Sequence, residues 1–310
     1  MPEPDPIVTE EARLAAANLR GGLWMVLSAI TASAMTIAAR GASAEMGSVT
    51  IVMMRAIGGF ALVALAMGVR PRLASDLRFT QLKAHVIRGA LVAVSTQMGF
   101  YTITQMPLAT ATVLFFSAPI FATILAIPVL GERPGPRRIA AVAAGFVGVL
   151  IVLRPGTVPL TWAMASALGS SICFAIVLLM SRKMANEDGP LATYVSSAVM
   201  TFLISLPIVG TGWELPYTAI GWFALSALVV SSLVRNIADI QAYRLAEASF
   251  LAPLAYTRLV LIAAAAYFLF DEVPDTAALA GGVVIMGAAL YIAHRERAKR
   301  REAAARSAKV

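Results

Sequence analysis

Ten apolar runs, at about 20–39, 49–68, 86–104, 108–130, 139–153, 162–180, 192–208, 219–243, 248–269 and 277–292, occupy this chain almost from end to end. A helix needs about 20 apolar residues to cross a bilayer's hydrocarbon, and most of the runs have that length. The fifth and tenth are short. Hydrophobic residues make up 59% of the sequence and charged residues only 14%. A soluble domain of 310 residues has no interior large enough to hide that much apolar surface, so the solvent must be lipid. The expected fold is an all-α integral membrane protein with ten transmembrane helices. Several breaks are only a few residues long, among them Gln105 to Pro107 and Arg244 to Glu247, and force neighbouring helices to run antiparallel.

Charge then orients the spans. With the N-terminus placed in the cytoplasm, 19 of the 25 Lys and Arg fall on that side, seven of them after Tyr291. Two, Arg40 and Arg154, fall outside, and Arg55, Arg88, Arg235 and Arg258 lie within spans. By the positive-inside rule both termini are cytoplasmic. The net charge of +8 is therefore a topology signal and not a nucleic-acid surface. The acidic, Pro-rich start is unlike a cleaved signal peptide, so the first run is expected to be retained. The lone Cys173 has no partner for a disulfide, and no metal-ligand cluster, phosphate-binding loop or cofactor motif is present, so no cofactor is expected.

A repeat is written into the punctuation. LAIPVLGERPGPRR (Leu125–Arg138) and FLFDEVPD (Phe268–Asp275) end apolar runs in the same way. The step along the chain from Glu132 to Glu272 equals the step from Pro134 to Pro274. Trp24-x-x-x-Ser28-Ala29 and Trp162-x-x-x-Ser166-Ala167 open the two halves. The reading is a cytoplasmic tail (1–19), a five-helix unit (20–154), a second five-helix unit (155–294) and a basic cytoplasmic tail (295–310). Five is odd, so the second unit enters the bilayer inverted, as in secondary transporters whose substrate site lies near the midplane between the repeats. Helix-ending chemistry is by itself sufficient reason for the two Glu-x-Pro sites.

The stretches FYTITQMPLATATVLFFSAPIFATILAIPVLGERPGPRRIAAVAAGFVGVLIVLRPG and AYRLAEASFLAPLAYTRLVLIAAAAYFLFDEVPD resemble the drug/metabolite transporter superfamily, EamA type. The resemblance covers residues 20 to 295. It implies a multi-pass protein of the bacterial inner membrane that moves a small metabolite by alternating access and is not an enzyme. Ala242 to Asp275 is most similar to the branch of riboflavin importers and S-adenosylmethionine uptake carriers. Riboflavin uptake is the first expectation from that resemblance. An amino-acid exporter or S-adenosylmethionine carrier is the alternative within the family, and a non-transporting membrane enzyme or assembly factor the alternative outside it.

Intramembrane polar residues mark the candidate site, because a charge at the bilayer centre costs about 2.5–3.5 kcal/mol and needs a partner or a wet cavity. Arg235 and Asp239 stand one turn apart in VRNIADIQAYR, with Tyr243 extending their face, and make either a closed ion pair or a coupling site. Arg258 lies too deep to snorkel, with Pro253 as a hinge five residues before it. Gln97 and Tyr101 share a face of the third span, and Pro119 with Ser117 places a second hinge in the fourth. Gln97, Tyr101, Asn236, Gln241, Tyr256 and Arg258 would suit a flat, polar-edged aromatic substrate. Arg55 is expected to reach the outer interface and Arg88 to snorkel to the inner one. Ala140, Ala144 and Gly148 form a small-residue stripe, a packing surface that a homodimer could use.

Overall fold

The computed structural model describes residues 6–130, 136–157, 159–184, 188–210, 213–246 and 248–307, some of them by backbone alone. Glu132 and Pro134 lie outside the described residues, as does the side chain of Tyr243. Among the described residues there is no strand, and twelve α-helices follow one another. They are α1 (Pro6–Ala42), α2 (Ser48–Val69), α3 (Leu82–Gln105), α4 (Leu108–Phe115), α5 (Ala118–Leu130), α6 (Pro136–Leu153), α7 (Trp162–Met184), α8 (Gly189–Val209), α9 (Ala219–Leu245), α10 (Ala248–Ala255), α11 (Thr257–Phe270) and α12 (Thr276–Ser307). A 3₁₀ turn, Pro71–Asp76, sits between α2 and α3. Eight described segments are long and apolar enough to cross a membrane, and Ile139–Leu153 is a shorter apolar helix. α3 has the length of a span, but Lys, Arg, Gln, Ser and Thr lower its apolar character.

Ten runs give twelve helices because two runs break. The fourth run divides at Phe116–Ser117 into α4 and α5, and the ninth divides at Tyr256 into α10 and α11. The breaks share one local chemistry. A broken helix disturbs the carbonyl ladder, and hydroxyls of the chain supply donors there that hydrocarbon cannot; the Leu114 carbonyl keeps the Ser117 N–H and takes Ser171 Oγ, each at 3.1 Å. Ser117 Oγ donates to the Leu114 carbonyl at 2.6 Å, and Thr257 Oγ1 donates to the Leu254 carbonyl at 2.6 Å. Donor and acceptor of the second cap lie one repeat offset beyond those of the first, the offset that also relates Glu132 to Glu272. Pro119 and Pro253 flank the breaks, Pro119 just inside α5 where a missing N–H costs nothing, Pro253 within α10.

Helix packing exchanges between the halves. α1 lies along α9 as α7 lies along α3; α3 meets α8 as α9 meets α2; α1 meets α10 and α11 as α7 meets α4 and α5. α6 and α12 pair with each other, as do α2 and α8. The α6–α12 seam is close because Gly148 faces Gly281: a Cβ on Gly148 would lie 3.0 Å from the Gly281 carbonyl oxygen. Gly148 is thus used inside the chain, while Ala140 and Ala144 remain exposed. The small-residue stripe is not one continuous surface.

Candidate substrate site

Polar contacts at one end of the bundle join the connections after α1, α3, α6, α8 and α11. Asp271 ends α11 in the left-handed conformation (φ 52°), and the next N–H, that of Glu272, returns to the Ala266 carbonyl at 3.0 Å. This turn aims Glu272 inward. Its carboxylate pairs with Arg40 and accepts the Leu108 N–H at 2.7 Å, while Arg40 also donates to the carbonyls of Ile103 (2.9 Å) and Met106 (3.1 Å). Beside it Arg154 pairs with Asp275. Glu45 accepts from the backbone of Tyr217 and Thr218 and from the Thr218 hydroxyl, and that hydroxyl bond leads the contacts holding its carboxyl below the usual range. Glu214 accepts the Gly47 N–H at 2.8 Å. The second Glu-x-Pro site therefore ties three helix ends together.

A different network holds the other end. His85 is buried between Asp188 (Nε2 to Oδ2, 2.9 Å) and Ser196 (Nδ1 to Oγ, 3.0 Å). Asp188 also accepts from the Thr80 hydroxyl at 2.6 Å and its N–H at 3.1 Å. The Thr80 hydroxyl, then His85, pull the Asp188 carboxyl down to about 2. Sequence reading passed over this group, whose members come from distant parts of the chain. Arg88 belongs to the same seam. It donates to Ser197 Oγ at 2.9 Å across α8, so it is bound sideways and does not snorkel.

Between these ends lie the intramembrane charges. On α9, Phe223, Val230 and Ile237 are exposed at seven-residue intervals and mark the lipid face. Arg235 and Asp239 sit two residues to either side of Ile237, about 160° round the helix from it, and face inward. Arg235 Nε lies 3.5 Å from Asp239 Oδ2, and Ser28 on α1 donates to the other oxygen, Oδ1. The two side chains keep 25% and 32% of their surface accessible, so the gap they face is partly open. Arg258 heads the stripe Arg258–Ile262–Ala266, whose last two members are fully buried, and likewise points inward. Arg55 corrects its sequence reading. It shares a face of α2 with buried Val52 and Gly59 and lies 5.6 Å from the Phe100 ring centre. It turns into the bundle and does not reach the interface.

The other predicted residues divide. Tyr256 stands at the second helix break and meets Phe116 at the first, ring centres 4.7 Å apart and planes tilted by 47°. Tyr256 lies the same step beyond Phe116 as Glu272 lies beyond Glu132. Gln97 donates to Ser205 on α8 at 2.6 Å and keeps a buried Oε1 without a partner. Tyr101 is not brought to the group, because Ile87, Val94 and Tyr101 form the exposed stripe of α3. Asn236 spends its amide on the Ser232 carbonyl of its own helix at 2.8 Å. Gln241 is half-buried, two residues past Asp239 and on another face.

Comparison with known proteins agrees with this architecture. Residues 19–154 match the EamA-like transporter family. The chain carries an EamA domain. It is 29% identical over 282 residues to the S-adenosylmethionine uptake transporter of Rickettsia prowazekii, covering 90% of this chain and 94% of that one. It is 26% identical to the riboflavin transporter of Vibrio cholerae, over 91% and 96% of the two chains. The pseudopaline exporter CntI of Pseudomonas aeruginosa is 28% identical, over 88% and 95%. A solved crystal structure has the same fold, with a TM-score of 0.60 at 19% identity over 91% of this chain and 98% of that one. Apolar helices and transporter relatives together make this a multi-pass membrane protein, and membrane transport the function they support.

Proposed function

We propose that this EamA protein is a secondary transporter that carries a small metabolite across the bacterial inner membrane by alternating access. Its two five-helix units, 20–154 and 155–294, enter the bilayer in opposite directions, ten spans in all with both termini cytoplasmic. The observation that carries this reading is the pair of helix breaks. They stand at equivalent positions in the two units, are capped by the same hydroxyl-to-carbonyl bond, and meet through Phe116 and Tyr256. Broken helices crossing at the interface of two related units are how carriers place a substrate site at mid-depth. Arg235, Asp239 and Arg258 line that site, with Tyr256 and Gln97 beside it. Asp239 is the coupling carboxylate, since it faces a partly open gap and has Arg235 and Ser28 to tune it. Rocking of the halves would break the Arg40–Glu272–Leu108 tie, which links both units at one end.

For the cargo, S-adenosylmethionine uptake is the reading that the 29% relative favours. Riboflavin uptake is the second, favoured by the Vibrio relative and by the Phe116–Tyr256 rings. Purified protein in sealed liposomes, given each radiolabelled compound in turn, tests both. Accumulation of one compound, chemically unchanged, is the expected result. Conversion of substrate without accumulation would mean an enzyme, and neither event with either compound would remove both cargoes.

A further inference from the structure

α3 and α8 belong to different halves of the chain, and polar side chains join them from one end of the bundle to its middle. His85 meets Ser196 Oγ at 3.0 Å, Arg88 donates to Ser197 Oγ at 2.9 Å, and Gln97 donates to Ser205 Oγ at 2.6 Å. The backbones close up between these contacts: a Cβ on Gly89 would lie 3.0 Å from the Ser196 carbonyl oxygen. On α8, Thr193, Ser197, Thr201 and Ser205 form a row at four-residue steps. Each donates its hydroxyl to the carbonyl four residues earlier, at 2.8, 2.8, 2.7 and 2.6 Å. The row runs about 18 Å, a little over half the depth of a bilayer's hydrocarbon. Ser205 gives its one proton to the Thr201 carbonyl, so it only accepts from Gln97, and that fixes the amide. Gln97 Oε1 is left buried without a partner at the inner end of the row. The offset that carries Glu132 to Glu272 also carries Met53, Ile57, Ala61 and Leu65 of α2 to the four hydroxyl positions, so the corresponding seam has no such row.

We propose that the transport site opens along the α3–α8 seam to the membrane face that bears the two termini, and that the hydroxyl row becomes the wet wall of a path for a polar, hydrogen-bonding solute. The proposal rests on the transporter reading above and adds the route to it. Such a wall is stable closed or open, because each hydroxyl keeps the bond to its own helix when α3 moves away. Water and solute then donate to the hydroxyl oxygens in place of Arg88 and Gln97, which are solvated in turn. The α2 residues at the corresponding places offer no such exchange, since a narrow gap between apolar walls expels water. At the inner end, the unpartnered Gln97 carbonyl accepts an N–H or O–H of the solute. At the mouth, Asp188 caps the start of α8 and closes the seam by bonding His85 of α3 at 2.9 Å and the exposed Thr80 at 2.6 Å. It is the counterpart, at this end, of the Arg40–Glu272–Leu108 tie.

Cysteine accessibility tests this on the full chain in sealed membranes, in a Cys173→Ser background that leaves no other thiol. Ser197→Cys probes the mouth, and Ser205→Cys probes a position fully buried in the closed seam. Leu228→Cys, equally buried, probes the place in the corresponding seam that Arg88 holds in this one. A charged, impermeant methanethiosulfonate reagent is applied from each face in turn, and reaction is read by mass spectrometry of the intact chain. Ser197→Cys and Ser205→Cys are expected to react at least tenfold faster from the face that bears the termini, and Leu228→Cys from neither face. Adding Asp188→Asn should speed reaction at Ser205→Cys about tenfold, as loss of a charge-assisted bond implies. His85→Gln breaks the same bond from the other helix and gives the same reading where Asp188→Asn is not monodisperse. No reaction at Ser205→Cys, equal reaction from both faces, a similar rate at Leu228→Cys, or no change on breaking the bond would overturn the path. Uptake of S-adenosylmethionine and riboflavin into liposomes keeps the two readings apart. Uptake with Ser205→Cys unreactive would remove the path alone, and one-sided reaction without uptake of either compound would leave the opening standing and remove those cargoes.

Discussion

The α3–α7 seam and the α1–α9 seam occupy corresponding places in the two halves, yet their chemistry is opposite. Across α3–α7 the contact is neutral and closed: Ser95 Oγ donates to the Ser170 carbonyl at 2.9 Å, and Ser170 Oγ returns the bond to the Ser95 carbonyl at 2.8 Å. Gly99 allows that approach, since a Cβ there would lie 3.2 Å from Ser170 Oγ. The offset that carries Glu132 to Glu272 puts Arg235 where Ser95 stands and Asp239 where Gly99 stands. There a charged pair faces Ser28 across a partly open gap. One seam is closed by paired serines and the other holds a charged pair. On the proposed repeat reading, one unit suffices to hold the site, and the corresponding positions of the other are free to become packing.

The comparison breaks most visibly at Asp239. If Asp239 only neutralises Arg235, replacing both with neutral residues should restore transport, because an ion pair that contributes nothing but mutual compensation can be replaced by a neutral pair. If Asp239 must titrate or hold substrate, an amide cannot substitute. We expect Asp239→Asn to lower the initial uptake rate by about a hundredfold, as loss of an essential proton-carrying group does. The double variant Arg235→Gln with Asp239→Asn should fold, as judged by gel filtration, and stay inactive. Uptake near the wild-type rate in the double variant would reduce the α1–α9 seam to packing as well.

Glu272 comes next. Glu272→Gln keeps an acceptor for the Leu108 N–H but loses the charge that holds Arg40, a part-buried contact worth about 1.5–3 kcal/mol. The melting temperature in detergent should fall by a few degrees, and uptake should change by less than in Asp239→Asn. An unchanged melting temperature would mean that Arg40 is held by the Ile103 and Met106 carbonyls alone.

Much of this was legible in one dimension. The apolar runs locate every helix, and the offset between Glu132 and Glu272 also relates the two helix breaks. Ser117 with Pro119 marked the first break and Pro253 the second, whereas a hydroxyl bonded three residues back is no sign by itself, since Ser231 and Ser232 make the same bond inside unbroken α9. Orientation about a helix axis was not legible. Gln97 and Tyr101 do share a face, but which face meets lipid depends on neighbours, and the Ile87–Val94–Tyr101 stripe decided it. Arg55 was misplaced for the same reason: depth along a helix is a count of residues, whereas inward direction is set by packing. The His85–Asp188–Ser196 group is assembled from distant segments, and nothing local marks it.

That group gives a smaller effect, confined to acid. Its carboxyl lies at about 2 in the folded protein, below the ordinary aspartate value of about 3.9. A depressed carboxyl contributes stability that is fully present above the unfolded value and lost as pH falls through the folded one. Thermal stability should therefore decline between about pH 4 and pH 2 through this group. In Asp188→Asn that part of the slope should be missing, while the variant is less stable than wild type at neutral pH. An identical acid slope in the variant would assign the loss to other carboxylates.

The smallest effect is expected where the quiet seam is altered. The hydroxyls of Ser95 and Ser170 donate to carbonyls that already accept their own helical N–H bonds, so removing both hydroxyls orphans no donor and no acceptor. Interhelical bonds of this kind in a membrane average about 0.6 kcal/mol, and two of them amount to about 1 kcal/mol. Ser95→Ala with Ser170→Ala should then lower the melting temperature only slightly and leave uptake within about twofold of wild type, since no charge or substrate group is touched. The matching change on the other seam, Ser28→Ala, takes a donor from Asp239 and should lower uptake more than the double change does. If the two alterations reduced uptake equally, the seams would be equivalent, and the site would have to be drawn across both halves.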